Sequence, residues 1–161
     1  MKKVLVVDQE RCNGCQLCMM GCSMKKQDWV DFASARIRVA QLDNDLSLVT
    51  TCNQCEEPLC LTACLMEVIQ RNTKGYVVRE ESACIACEAC AAMCSFGAIH
   101  MDRHHEVAVS CDLCSGNPVC VGFCPTGALQ FKESMDESCD RRENAAKRMA
   151  LAVRISGHLG P

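Results

Sequence analysis

Large aromatic side chains are scarce: one tryptophan, one tyrosine and four phenylalanines in 161 residues. A chain so poor in rings builds a thin apolar core. Something besides burial must help to hold the fold, and bound metal can supply that energy. Long apolar runs are missing as well. No stretch approaches the roughly 18 apolar residues of a membrane helix. The opening MKKVLVVDQERC contains an apolar run of only Val4 to Val7. That is too short for a signal peptide and lacks a small-residue cleavage site. No twin-arginine pair stands there either, so the expected location is a reducing cytoplasm. A basic block is also absent. The formal charge is −3, which leaves no electrostatic footprint for nucleic acid. There is no GxGxxG, no P-loop and no substrate-facing triad, so nothing marks an enzyme in its own right.

Cysteine is abundant. There are seventeen, which a small secreted protein would use as disulfides and an intracellular one as metal ligands. The start of the chain favours metal. Sixteen of them form four groups of four. The first is Cys12, Cys15, Cys18 and Cys22, in CNGCQLCMMGC. The second is Cys52, Cys55, Cys60 and Cys64, in CNQCEEPLCLTAC. The third is Cys84, Cys87, Cys90 and Cys94, in CIACEACAAMC. The fourth is Cys111, Cys114, Cys120 and Cys124, in CDLCSGNPVCVGFC. Each begins CxxC and ends CxxxC, while the middle gap runs two, four, two, five. The two expanded groups share a Pro-x-Cys ending, at Pro58–Cys60 and Pro118–Cys120. Proline shapes a turn, so the longer loop is a repeated feature. The final cysteines of groups two, three and four are 30 residues apart. Similar phrases follow each: CLMEVIQ, CSFGAIH and CPTGALQ. A tight–expanded pair has been duplicated, over 12–64 and 84–124.

A [4Fe–4S] cube needs four soft thiolates, one per iron. A CxxCxxC loop brings three sulfurs to one side, and in two-cluster ferredoxins the fourth cysteine ligates the other cube. Sixteen ligands therefore make four complete cubes with no iron open to substrate. The radical-SAM spacing CxxxCxxC does not occur. Complete ligation points to electron transfer. The rival is a structural zinc scaffold, because CxxC pairs also build four-cysteine zinc sites. Zinc sites separate their pairs more widely, and this chain has two uninterrupted CxxCxxCxxxC runs.

Short β-like segments lie between the groups: Val4–Asp8, Ile37–Val39, Leu46–Thr50, Tyr76–Arg79, Ala98–Met101, Val107–Ser110 and Ala128–Phe131. TKGY at 73–76 reads as a turn, and brief helices are expected near each CxxxC. The fold class is α+β. At this point the residues resemble the four-cluster, ferredoxin-type electron-transfer subunits of multisubunit oxidoreductases, over about residues 2–132. The resemblance implies two ferredoxin-like dicluster units with nested pairing of the cysteine groups. It assigns Cys12, Cys15, Cys18 and Cys124 to one cube, and Cys111, Cys114, Cys120 and Cys22 to its neighbour. A third cube takes Cys52, Cys55, Cys60 and Cys94, and the fourth takes Cys84, Cys87, Cys90 and Cys64. The outer unit would be about 1–45 with 105–132, the inner unit about 46–104.

SARIRV at 34–39 and CDLCSGNPVCVGFCPTGAL resemble the small subunits that accompany tungsten aldehyde oxidoreductase-type enzymes. Subunits serving CO dehydrogenases, hydrogenases and formate dehydrogenases are the alternatives. The implied partner is a catalytic subunit with a tungsten or molybdenum pterin, with a flavin-containing subunit as a further one.

Four features remain. Cys139 reads as a free thiol outside the cluster domain. RHHE at 103–106 reads as an exposed turn. Met19, Met20, Met24, Met66, Met93 and Met101 read as soft packing around the cubes. The segment 133–161 reads as a helix, with Ser134 and Glu137 in a capping box, Ala145, Ala146, Met149, Ala152 and Val153 on one face, and Gly157 as its stop. It could fold back on its domain or dock another subunit, including a second copy of this chain.

Overall fold

Each cysteine group opens a helix one residue before its third cysteine. These are α1 (Leu17–Gln27), α2 (Leu59–Thr62), α3 (Ala89–Ala92) and α4 (Val119–Gly122). The tight and expanded groups enter their helices differently. In the tight groups the preceding residue is left-handed, Gln16 at φ 60° and Glu88 at φ 60°. In the expanded groups it is an extended proline, Pro58 or Pro118. Proline lacks an N–H, which the start of a helix does not need. The computed structural model describes residues 3–42 and 46–133. The expected helix at 133–161, its capping box and Cys139 fall almost wholly outside them.

Each of the last three helices is followed by the same turn. The third residue after the final cysteine is left-handed: Glu67 at φ 54°, Gly97 at φ 59° and Gly127 at φ 64°. Its N–H donates to the carbonyl of that cysteine, Cys64, Cys94 or Cys124. Glycine occupies two of the three positions because it has no Cβ to strain there. A strand follows each turn: β4 (Ile69–Arg71), β6 (His100–Asp102) and β8 (Leu129–Glu133). The sequence reading missed β4, although the turn before it belongs to the same repeat. Its outer residues Gln70 and Arg71 are exposed, so the alternation that marks a strand is weak.

The other strands are β1 (Lys3–Val7), β2 (Arg38–Leu42), β3 (Leu46–Thr50), β5 (Val77–Arg79) and β7 (Val107–Val109). All pair antiparallel, as four two-stranded sheets: β2–β3, β4–β5, β6–β7 and β1–β8. The first three are local hairpins. In the last, Lys3 lies opposite Glu133 and Val7 opposite Leu129, so the two ends of the described chain form one ribbon. Two-stranded ribbons are marginal alone, and here each rests on cysteine-bearing helices.

The apolar interior is divided accordingly. One core holds Val7, Met19, Ala35, Ile37, Val39, Val49 and Leu129 with Cys12, Cys18, Cys22, Cys120 and Cys124. A second holds Val68, Ile69, Val77, Ile99 and Ala108 with Cys60, Cys64, Cys84, Cys90 and Cys94. A small third cluster, Tyr76 and Leu113, joins Cys52 to Cys111. Groups one and four thus share one core, and groups two and three the other.

Polar ties join the parts. Arg36 pairs with Glu81 and, at 3.6 Å, with Asp112, which also takes Lys26 at 2.7 Å. Residues 103–106 form the expected turn. Buried Asp102 accepts from the N–H groups of His104 and His105 and from Gln27 Nε2 at 3.0 Å. Its neighbours tie back across the fold, His104 to Asp31 at 3.0 Å and His105 to the Gln27 amide oxygen at 2.9 Å.

Candidate metal centres

The CxxC loops share one backbone device. The residue just before the second cysteine is left-handed in all four: Gly14 at φ 71°, Gln54 at φ 52°, Ala86 at φ 56° and Leu113 at φ 57°. Three of these are not glycine, although left-handed backbone costs other residues about 1–2 kcal/mol. The twist has a visible use in the two expanded groups. Gln54 N–H donates to Cys52 Sγ at 3.4 Å, and Leu113 N–H to Cys111 Sγ at 3.4 Å. Backbone donors also reach two closing cysteines: Arg36 N–H to Cys22 Sγ at 3.3 Å and Ala98 N–H to Cys94 Sγ at 3.4 Å.

The longer middle gaps are held by cations from the β4–β5 hairpin. Arg71 Nη2 donates to the carbonyls of Cys55 and Glu56 in the second group. Lys74 Nζ donates to the Ser115 carbonyl at 3.0 Å in the fourth. There the chain runs left-handed from Leu113 through Cys114, Ser115 and Gly116 before Pro118 starts α4. The five-residue gap is therefore a built loop. Gln54, fully buried, ties the two expanded groups together: its amide donates to the Cys111 carbonyl at 2.9 Å and accepts from Val77 N–H at 2.6 Å.

The thiols gather across groups. Cys18 faces Cys12, Cys15 and Cys124; burial, with those like charges, pushes its pKa up to about 12. Cys120 faces Cys111, Cys22 and Cys114, with Cys18 beyond, and burial raises it as well. Burial also raises Cys22, despite the amides of Arg36 and Ile37. Cys111 is pushed up to about 11, by burial first. Cys60 is raised by burial and by Cys94, Cys55 and Cys90. Cys52, near Cys111, Cys55 and Cys60, is pushed up to about 12, chiefly by burial. Cys124 differs. Its burial is outweighed by hydrogen bonds from the Thr126 hydroxyl and the amides of Leu129, Ala128 and Thr126, which leave it below the usual thiol value. The remaining set, Cys64, Cys84, Cys87 and Cys90, lines one cavity with Met66, Val68, Arg79, Ile85, Glu88 and Ala108.

These residues suit an iron–sulfur cube. The donors are soft thiols, mostly in apolar surroundings that would leave them neutral until a metal replaces their protons. Among the described residues no three His, Cys, Asp or Glu side chains stand close enough to hold one metal ion. Of the six methionines near the cysteines, Met19 is buried and its sulfur accepts from Val39 N–H at 3.2 Å. Met24, Met66 and Met93 are close to half exposed instead. The sequence reading missed Gln54 and Arg79. Neither carries a motif, and only the fold brings them to the thiols.

Residues 45–134 match a family model described as a 4Fe-4S dicluster domain. YsaA of Escherichia coli strain K12, an electron transport protein by name, is 33% identical over 81% of this chain and 89% of its own length. The polyferredoxin-like subunit of an aliphatic sulfonate oxidoreductase from Pyrococcus furiosus is 34% identical, over 74% of this chain and 70% of that one. The electron transfer subunit PhsB of thiosulfate reductase from Salmonella typhi is 29% identical, over 84% of this chain and 77% of that one. Among the described residues no helix is long and apolar enough to cross a membrane.

Proposed function

Because the chain belongs to the 4Fe-4S dicluster family, we propose that it is a non-catalytic electron-transfer subunit carrying four [4Fe–4S] clusters for an oxidoreductase complex. The observation that carries this is the sorting of cysteines. Groups one and four pack into one core and groups two and three into another, as two dicluster units require. On this reading one cube is held by Cys12, Cys15, Cys18 and Cys124, and its neighbour by Cys22, Cys111, Cys114 and Cys120. The inner pair is held by Cys52, Cys55, Cys60 and Cys94, and by Cys64, Cys84, Cys87 and Cys90. The thiol neighbourhoods of Cys18, Cys120 and Cys60 and the cavity lined by Cys64, Cys84, Cys87 and Cys90 support these sets.

A bound cube accepts and returns one electron at a time. What the chain contributes is position. Packed cores hold the sites of each pair side by side, and Gln54 and the cluster of Tyr76 and Leu113 bind the inner pair to the outer one. Cys15 and Cys87 are exposed. Both belong to tight groups, one in each unit, and give the row of sites a solvent-facing point in each.

The partner we propose is a catalytic subunit with a tungsten or molybdenum pterin, of the aldehyde oxidoreductase type. Support comes from the motifs at 34–39 and 110–129, and from relatives named as subunits of a sulfonate oxidoreductase and of thiosulfate reductase. Anaerobic co-purification of the native complex, with metal analysis, tests it. Tungsten or molybdenum in the complex is the expected result. Nickel would move the assignment to a CO dehydrogenase or hydrogenase. Turnover of a substrate by the purified chain alone would end the non-catalytic reading.

A further inference from the structure

Arg79 stands at the end of β5, opposite Ile69 of β4, and its guanidinium turns into the cavity lined by Cys64, Cys84, Cys87 and Cys90. Nη1 donates to Cys90 Sγ at 3.2 Å. Nε and Nη2 are buried and have no hydrogen-bond partner among the described residues. The same charge reaches Cys60, a ligand of the neighbouring site, and favours its thiolate.

Two other cations near the thiols are paired with carboxylates. Arg36, beside Cys22, pairs with Glu81 and Asp112, and Lys26 pairs with Asp112. Arg79 makes no ion pair among the described residues. A buried guanidinium without an anion is costly, and so are two buried N–H groups without acceptors. Four thiolates around an iron–sulfur core are anionic, and their sulfurs accept hydrogen bonds. A loaded cube at this site therefore supplies both what Arg79 lacks.

From this geometry we infer that Arg79 sets the reduction potential of the cube held by Cys64, Cys84, Cys87 and Cys90, making it the preferred resting place of an electron in the inner pair. The inference rests on the cluster reading above. Adding one electron makes the site more negative, and a fixed positive charge with N–H donors at the sulfurs stabilises that state. Elsewhere the sulfur donors are neutral: backbone amides at Cys22, Cys52, Cys94 and Cys111, and hydroxyls at Cys111 and Cys124. Among the described residues only Cys90 accepts a hydrogen bond from a guanidinium. Arg79 acts on the cube and not on substrate.

The test uses the full chain, loaded and purified anaerobically. Wild type, Arg79→Met and Arg79→Gln are reduced stepwise by dithionite with mediators and followed by electron paramagnetic resonance, with iron measured in each. Both substitutions remove the charge. One cube is expected to lose electron affinity at least tenfold, equal to about 59 mV for one electron, with iron content retained. A smaller drop is expected at the neighbouring cube through Cys60. Retained iron with unchanged potentials overturns the inference. Loss of this one cube in both variants, with the other potentials unmoved, also overturns it by showing a structural role. A wild-type chain that binds no cubes refutes the cluster reading instead.

Discussion

Replacing Cys22 together with Cys120 is expected to damage one cube and leave three. Replacing Cys18 together with Cys22 is expected to damage two. The second pair is the closer in sequence, so the outcome inverts what the local motif suggests. In the structure Cys120 faces Cys22, Cys111 and Cys114, whereas Cys18 faces Cys12, Cys15 and Cys124. Cys22 lies one helical turn beyond Cys18 on α1, near the fourth group. The reading therefore gives Cys22 and Cys120 to the same cube, and two losses at one site do not add. Cubes should be counted by Mössbauer or electron paramagnetic resonance spectroscopy, since a site missing one ligand can keep part of its iron. Two damaged cubes in C22A/C120A and one in C18A/C22A would mean that each group closes its own cube.

Gly21→Val is expected to cost both outer cubes, about half the iron, while the inner pair stays loaded. Gly21 is buried in α1, next to Cys22, at the contact with α4. A Cβ there would lie 2.6 Å from Phe123 Cδ2 and 2.8 Å from Cγ. The ring must move, and it sits on the residue that caps α4. Overpacking of this kind costs roughly 1–3 kcal/mol, and here the displacement falls on ligands. α1 carries Cys18 and Cys22, and α4 carries Cys120 with Cys124 two residues past its end. The inner sites lie in a separate core and have no part in the contact. Iron analysis and cube counting on the loaded variant check this. Truncating the ring with Phe123→Ala in the same chain is expected to restore the outer cubes in part. Full iron in Gly21→Val would show that the two helices need not meet closely.

The four cysteine groups read easily from the sequence because their spacing is local. CxxC and CxxxC spacings repeat four times, and Pro58 and Pro118 mark the expanded loops. The structure gives those prolines one position, just before a short helix. The 30-residue repeat of the final cysteines reappears as one left-handed turn, at Glu67, Gly97 and Gly127. The sequence showed that turn only as three similar phrases after the final cysteines, and β4, which follows Glu67, was missed there. The left-handed residues Gln54, Ala86 and Leu113 gave no signal either. None is a residue that favours φ > 0, and the conformation is imposed by a loop that must wrap its own sulfurs.

Long-range relations were the hardest to read. No spacing rule joins Cys12 to Cys124, or Val7 to Leu129, across more than a hundred residues. The expected pairing of the first and fourth cysteine groups came only from family resemblance, and nothing in the sequence marks the β1–β8 ribbon that sets Val7 opposite Leu129. Arg79 was unreadable for a related reason. It looks like the polar end of a hairpin strand until the fold turns its guanidinium inward to Cys90.

The most direct test of the account is the iron and acid-labile sulfide content of the anaerobically purified chain. Four cubes require about sixteen of each per chain, in a brown protein. A colourless preparation holding zinc alone, or one with iron for only two cubes, would contradict it.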